Sequence, residues 1–122
     1  MQSLKNQSFL ARLRFAATGI VAGLRAENSL RFHFAALIGI FALLAVLRPE
    51  AVWWALVAIA SAAVIAAELF NTAMEHLIDH LHPQLHPSIK IAKDCAAAAV
   101  LVTSLGAVIV AIALLAHLLQ RQ

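Results

Sequence analysis

The segment Glu68-Leu-Phe-Asn71-Thr72-Ala-Met-Glu75-His-Leu-Ile-Asp79 sets carboxylates, an amide and a hydroxyl at helical spacing. At about 100° per residue, Glu68, Asn71, Thr72, Glu75 and Asp79 project at about 0°, −60°, +40°, −20° and +20° and share one face. Unpaired like charges at such spacing repel, so a metal ion or cationic partners must relieve them. Oxygen-only ligands suit Mg²⁺ rather than Zn²⁺, and Mg²⁺ commonly takes one or two carboxylates together with substrate phosphates. Depth separates the roles. If the helix begins near Ala51 at one interface, Glu68 lies about 25 Å along it, at the far edge of the hydrocarbon, and Asp79 a further ~16 Å on, in water. Such a ladder can join a lipid headgroup at one end to a soluble phosphate donor at the other.

Two further pieces carry matching chemistry. Lys90-Ile-Ala-Lys93-Asp94 opens a later helix. Lys93 suits donor phosphates, and Asp94 would orient it or cap local donors. Glu27-Asn28 precedes the first apolar run and would bring another carboxylate to the metal. Gly19, Gly23, Gly39 and Gly106 are isolated, which excludes a P-loop or a kinase-type glycine loop. A lone Glu68 would as readily be a structural partner of Arg or Lys; the gathering of acids with Asn71 and Lys93 is what favours a site. The pairs His76/His80 and His82/His86 have i, i+4 spacing, but no cysteine cluster accompanies them and Pro83 and Pro87 interrupt. They read as polar loop and interface residues, His117 as an interfacial residue, and Cys95 as a small packing residue.

These groups need elements to position them, and composition says which. The 122 residues are 63% hydrophobic and 12% charged, about half the charge of soluble domains, roughly 25%. An ordinary soluble domain, a disordered chain and a disulfide scaffold are excluded. The net charge of +3 then points to a membrane surface rather than to nucleic acid. Uncharged apolar stretches run over 34–47, over 51–67 and on past Glu68 to Ile78, and over 95–116. Backbone polar groups in lipid must be satisfied internally, so each is a helix. The first is short and draws on Phe32, His33 and a snorkelling Arg48 at its ends. Arg48-Pro49-Glu50 is a tight turn, Trp53 and Trp54 suit an aromatic belt, and Asp79 to Ile91 is the one extended polar connection. Ahead of the spans, Phe9, Leu10, Leu13, Ile20, Val21 and Leu24 share an arc opposite Arg14, Thr18 and Arg25, as in an amphipathic interfacial helix. This segment has no short apolar core with a cleavage site, so it does not read as a cleavable signal. The expectation is an all-α integral membrane protein of one domain, 1–122. A surface helix covers about 5–28, and spanning helices cover 32–48, 51–80 and 90–119.

Lys5, Arg12, Arg14, Arg25 and Arg31 precede the first span, and Lys90 and Lys93 lie in or beside the second connection, against Arg48 and Arg121 on the opposite side. The positive-inside rule then puts the N-terminus in the cytoplasm and the C-terminus outside. Only Glu50 among the acids falls on the outer turn. Glu27, Glu68, Glu75, Asp79 and Asp94 all fall at or near cytoplasmic helix ends, where acids near lipid imply function.

The pattern E-x-x-N-[ST]-x-x-E-x-x-x-D in residues 68–79, followed by Ala92-Lys93-Asp94, resembles the signature of the bacterial diacylglycerol kinase / undecaprenol kinase family. The likeness extends over nearly the whole chain. It implies a small membrane kinase, assembled as a homotrimer in the cytoplasmic (inner) membrane, with active sites shared between subunits on the cytoplasmic side. Mg²⁺-bound ATP would phosphorylate a lipid alcohol. Carried over, Glu68 resembles the general base on the lipid hydroxyl, with Ala97 beside it at the lipid substrate. Glu75 and Glu27 resemble the metal pair, and Asn71, Glu75, Asp79, Lys93, Asp94 and Arg12 or Arg14 the nucleotide contacts. The stretch Gly19 to His33 looks like that of the undecaprenol kinase branch, since an acid tends to stand at the place of His33 in the diacylglycerol branch. It departs in having Asn28-Ser29 where Arg-Asn is common. A different reading is a small oligomeric proton-coupled transporter using Glu68; a further one is a structural assembly subunit whose acids meet partners. Flux driven by a pH gradient without ATP would mark the former, and Mg²⁺-dependent nucleotide binding would exclude the latter.

Overall fold

The computed structural model describes residues 7–84 and 86–121, and all its regular structure is helical. Helix α1 spans Phe9–Ala26. Ser8 sets its start: the Ser8 side chain accepts a hydrogen bond from the Ala11 N–H at 3.3 Å and satisfies one of the free donors of the first turn. The opening positions expected for this helix, Lys5 and Asn6, lie outside the described residues. At the other end Glu27 turns to extended backbone, φ −119° and ψ 124°. Its N–H still donates to the Gly23 carbonyl at 2.9 Å, so the break is confined to one residue.

Helix α2 then begins directly and covers Asn28–Leu47. Residues 28–31 therefore belong to this helix, not to the surface segment or a linker. Its 20 residues extend about 30 Å, the thickness of a bilayer's hydrocarbon. The apolar run of 34–47 reaches spanning length because a polar first turn is attached to it. Arg48 closes the helix in the left-handed region at φ 48°, with its N–H donating to the Leu44 carbonyl at 2.8 Å. A buried Pro49 follows, which cannot continue a helix.

Helix α3 covers Ala51–Leu81 and α4 covers Pro87–Gln120. The polar connection expected over 79–91 shrinks to 82–86, within which Leu85 lies outside the described residues. Two local causes extend α4 backwards. Pro87 takes the first helical turn, where a missing N–H costs nothing. The His86 ring caps the turn, its Nδ1 accepting from the Ser88 N–H at 3.2 Å.

Helices α2, α3 and α4 are each long and apolar enough to cross a membrane. The most extensive packing is between α3 and α4. A small core of Leu44, Val57 and Leu114 lies near the α2–α3 turn, flanked by Phe41, Trp53 and Trp54. Trp53 and Trp54 thus close this core, and Trp53 stacks on His117 with ring centroids 5.2 Å apart. Large apolar side chains such as Ile38, Ile59, Leu101 and Ile109 point outward from the chain, as a lipid solvent or a further protein surface requires. The polar residues of interest collect at the opposite end of the bundle, where α1 meets α2 and α3 and where α4 begins.

Candidate functional site

Glu68 is the most enclosed acid, 4% exposed on α3. A buried carboxylate without partners is costly, and α2 supplies both partners. The Ser29 hydroxyl donates to Oε2 at 3.0 Å, and His33 Nε2 lies 3.0 Å from Oε1. Ser29 and His33 are four apart on α2, so one helix face presents both. One turn along α3, the buried Thr72 returns its hydroxyl to the Glu68 carbonyl at 2.9 Å, which satisfies it without recruiting Glu68's side chain.

The next acid is held within its own helix. Asn71 Nδ2 donates to Glu75 Oε1 at 3.2 Å. The other end of that amide, Oδ1, is buried and has no donor. It is a fixed acceptor beside a fixed carboxylate. Asp79, further along the same face, reaches across to α4 and pairs with Lys93, while Asp94 pairs with Lys90 on its own helix. The expectation that Asp94 orients Lys93 is therefore corrected. Consecutive helical residues diverge by about 100° and cannot face each other, so each takes a partner three or four residues away or on a neighbouring helix.

The strip expected to hold its carboxylates on one face is thus divided among partners. Serine and histidine take Glu68, an amide takes Glu75, and a lysine takes Asp79. Their mutual repulsion is relieved without a preformed metal cage, and no group of three or more His, Cys, Asp or Glu able to hold a metal forms among the described residues. Glu27 occupies the one-residue break between α1 and α2. Arg12 is exposed on α1 and makes no ion pair among the described residues. Ala97 is exposed on α4, and its neighbour Ala96 takes the buried position.

The sequence marks His33 as the end of a span and as part of the undecaprenol-type stretch, but it does not pair His33, or Ser29, with Glu68. The available signal was the i, i+4 spacing of two hydrogen-bonding side chains in the first turns of a membrane helix. His33 also lines an apolar cleft of about 500 Å³ between α2, α3 and α4, together with Leu37, Ile40, Val64 and Ser104. Glu68 is not part of that lining.

Comparison with known proteins bears on this arrangement. Residues 14–115 match the family model described as prokaryotic diacylglycerol kinase. Arg12 lies just before the matched region. A protein of Synechocystis sp. named diacylglycerol kinase is similar, with 36% identity over 104 residues, which covers 84% of this chain and 59% of that relative. The chain thus spans about three fifths of the length of the curated relative it matches.

Proposed function

Because the chain belongs to the prokaryotic diacylglycerol kinase family, and so to a multi-pass membrane class, we propose that it transfers the γ-phosphoryl group of ATP to the hydroxyl of a membrane lipid. The observation that carries this reading is the buried Glu68, held by α2 at the inner end of the polar strip. Glu68 is the general base that takes the proton of the lipid hydroxyl, with Ala97 at the lipid's approach. Asn71, Glu75, Asp79, Lys93, Asp94 and Arg12 contact the nucleotide. An exposed lysine already paired with a carboxylate can exchange that partner for phosphate oxygens, since both are anionic acceptors.

The donor set fits a hard divalent cation. It is all oxygen, and the amide that holds Glu75 through its Nδ2 keeps an unpartnered buried acceptor, Oδ1. Glu75 and Glu27 would hold Mg²⁺, leaving further positions for phosphates and water as that ion prefers. When bound, Mg²⁺ supplies charge neutralisation on the transferring phosphoryl group. The working assembly is a homotrimer with sites shared between subunits, in the cytoplasmic membrane with the N-terminus and the α3–α4 connection inside. Undecaprenol and diacylglycerol are the two acceptors to compare; the Synechocystis relative carries the name of the second, and His33 favours the first.

The test is transfer of labelled γ-phosphate from ATP, with Mg²⁺, by the purified chain in bicelles containing either alcohol. Phosphorylated lipid is expected, and Glu75→Gln should lower the rate at least ~100-fold, on the scale of a lost electrostatic contact to the transition state. Wild-type protein that hydrolyses or binds no nucleotide, yet moves protons down a gradient, would replace the kinase reading with a transporter.

A further inference from the structure

We propose that Ser29 is a positioning residue, whose hydroxyl fixes the carboxylate of Glu68 in the orientation from which it meets the lipid hydroxyl. This rests on the lipid-kinase reading and adds to that site a residue that acts on the substrate only through Glu68.

Three observations carry it. First, α3 does not hold this carboxylate itself. The buried Thr72, one turn on, gives its hydroxyl to the Glu68 carbonyl, and the acids further along α3 take other partners. The terminal torsion of a glutamate is broad, so a carboxylate left to its own helix has no fixed plane. Second, the fixing contacts come from the first turns of α2. The Ser29 hydroxyl lies 3.0 Å from Oε2, and His33 Nε2 lies 3.0 Å from Oε1. An ionised carboxylate only accepts, so at Oε2 the hydroxyl is the donor. Ser29 and Glu68 are 39 residues apart, so this bond fixes a side chain of one helix against the backbone of another. Third, the contacts leave the carboxylate able to work. A carboxylate has about four acceptor sites, and Ser29 and His33 take only part of them. The Glu68 side chain is 5% exposed, which leaves solvent little access to turn it.

Placement along α2 adds to this. Ser29 lies in the turn that directly follows the one-residue break at Glu27. One turn thus carries both the carboxylate proposed for Mg²⁺ and the hydroxyl that holds the base, and the bond to Oε2 ties the position of the one to that of the other. In the step, the lipid oxygen forms a bond to the γ-phosphorus of ATP. The bond from that phosphorus to the β–γ bridging oxygen breaks, its electron pair leaves on ADP, and the hydroxyl proton passes to Glu68. A donor on Oε2 takes some basicity from the carboxylate. Phosphoryl transfer depends mainly on positioning and electrostatics, so a fixed orientation outweighs that loss. Misplacing a reacting group by about 1 Å costs roughly 10²-fold in rate.

The experiment compares full-length wild type, S29A, S29C and S29T in bicelles with Mg-ATP and each alcohol. Melting followed by circular dichroism reports folding, and S29C, which keeps the shape but has only a weak donor, carries the comparison if S29A does not fold. S29A should lose roughly 10- to 100-fold in kcat, with KM for ATP and for the lipid nearly unchanged, because the lost contact acts on the reacting group and not on binding. S29C should fall with S29A. S29T keeps the hydroxyl and should recover most of the rate; Ser29 is exposed, which leaves room for the added methyl. A variant without the hydroxyl that melts lower but keeps kcat within about threefold would show that Ser29 only joins α2 to α3, and would overturn the proposal. So would a loss confined to KM, which would make Ser29 a substrate contact, and so would a loss of kcat that S29T does not recover, which would trace it to shape instead of the hydroxyl. A wild type that phosphorylates neither alcohol would overturn the kinase reading itself, whereas those results on an active wild type remove the positioning role alone.

Discussion

Lys93 is held by Asp79 in a pair whose side chains are 37% and 64% exposed. Pairs this open contribute about 0–1 kcal/mol, so the bond is cheap to break when a better anion arrives. A charge-assisted hydrogen bond to phosphate contributes about 1.5–3 kcal/mol. The two residues should therefore separate cleanly by assay. Asp79→Asn should move the unfolding free energy by about 1 kcal/mol at most. Lys93→Met should weaken Mg-ATP binding about tenfold or more, measured by calorimetry on the detergent-solubilised chain. If Lys93→Met binds nucleotide as wild type does, Lys93 is only the structural partner of Asp79. Asn71 differs in kind, since its buried amide is committed at Nδ2 and open at Oδ1.

At the scale of elements, the position of Glu27 depends on how closely α1 approaches the bundle. That approach needs a glycine. A Cβ at Gly23 would come within 2.8 Å of Leu30 Cδ2 and 2.9 Å of Leu69 Cδ2. Leu69 is half-buried and can swing aside, but Leu30 is 0% exposed and has no free volume to enter. Gly19, one turn earlier, has nothing within 4 Å of the same position. Both substitutions to alanine gain about 1 kcal/mol of helix propensity, and only one is sterically opposed. Gly23→Ala should accordingly unfold about 1–3 kcal/mol below Gly19→Ala, and should also lose activity because α1 and Glu27 are pushed outward. Equal stability and equal activity in the two variants would mean that α1 is not anchored here. The short polar connection works in the same spirit. His86 and Pro87 start α4 early, which carries Lys90 and Lys93 as ordered helical side chains instead of loop residues.

At the scale of the whole molecule, the outward apolar faces and the inward polar end must agree with one membrane orientation. The proposed site works only if its end of the bundle meets cytoplasmic ATP. In a Cys95→Ala background, a cysteine placed at Gln120 should react with an impermeant maleimide on intact cells. One placed at Gln7 should react only after permeabilisation. The reverse pattern would point the polar end away from its phosphate donor and would sink the functional reading along with the topology. At the far end, Glu50 lies 3.8 Å from Arg121 and 3.9 Å from His117. Those contacts join the α2–α3 turn to the end of α4 without taking any part in the proposed chemistry.

Local pattern alone determined the helical class, the apolar lengths, the charge asymmetry and the alignment of Glu68, Asn71, Glu75 and Asp79 along α3. These are legible because helical pitch and the thickness of a bilayer are constants, so spacing within one segment converts directly into a face and a depth. Helix ends were less legible. Ser8, Glu27 and the His86–Pro87 pair moved them by capping and backbone geometry that periodicity does not report. What only the tertiary structure decided is the partner of each acid. Ser29 and Glu68 are 39 residues apart, and Asp79 and Lys93 are 14 apart on different helices. Pitch sets where a side chain points from its own axis. It does not set how one helix is rotated against the next, and that rotation comes from close contacts such as Gly23 on Leu30 and from the packing of α3 on α4. For that reason the acidic strip was visible from residue spacing, while the histidine that holds Glu68 was not.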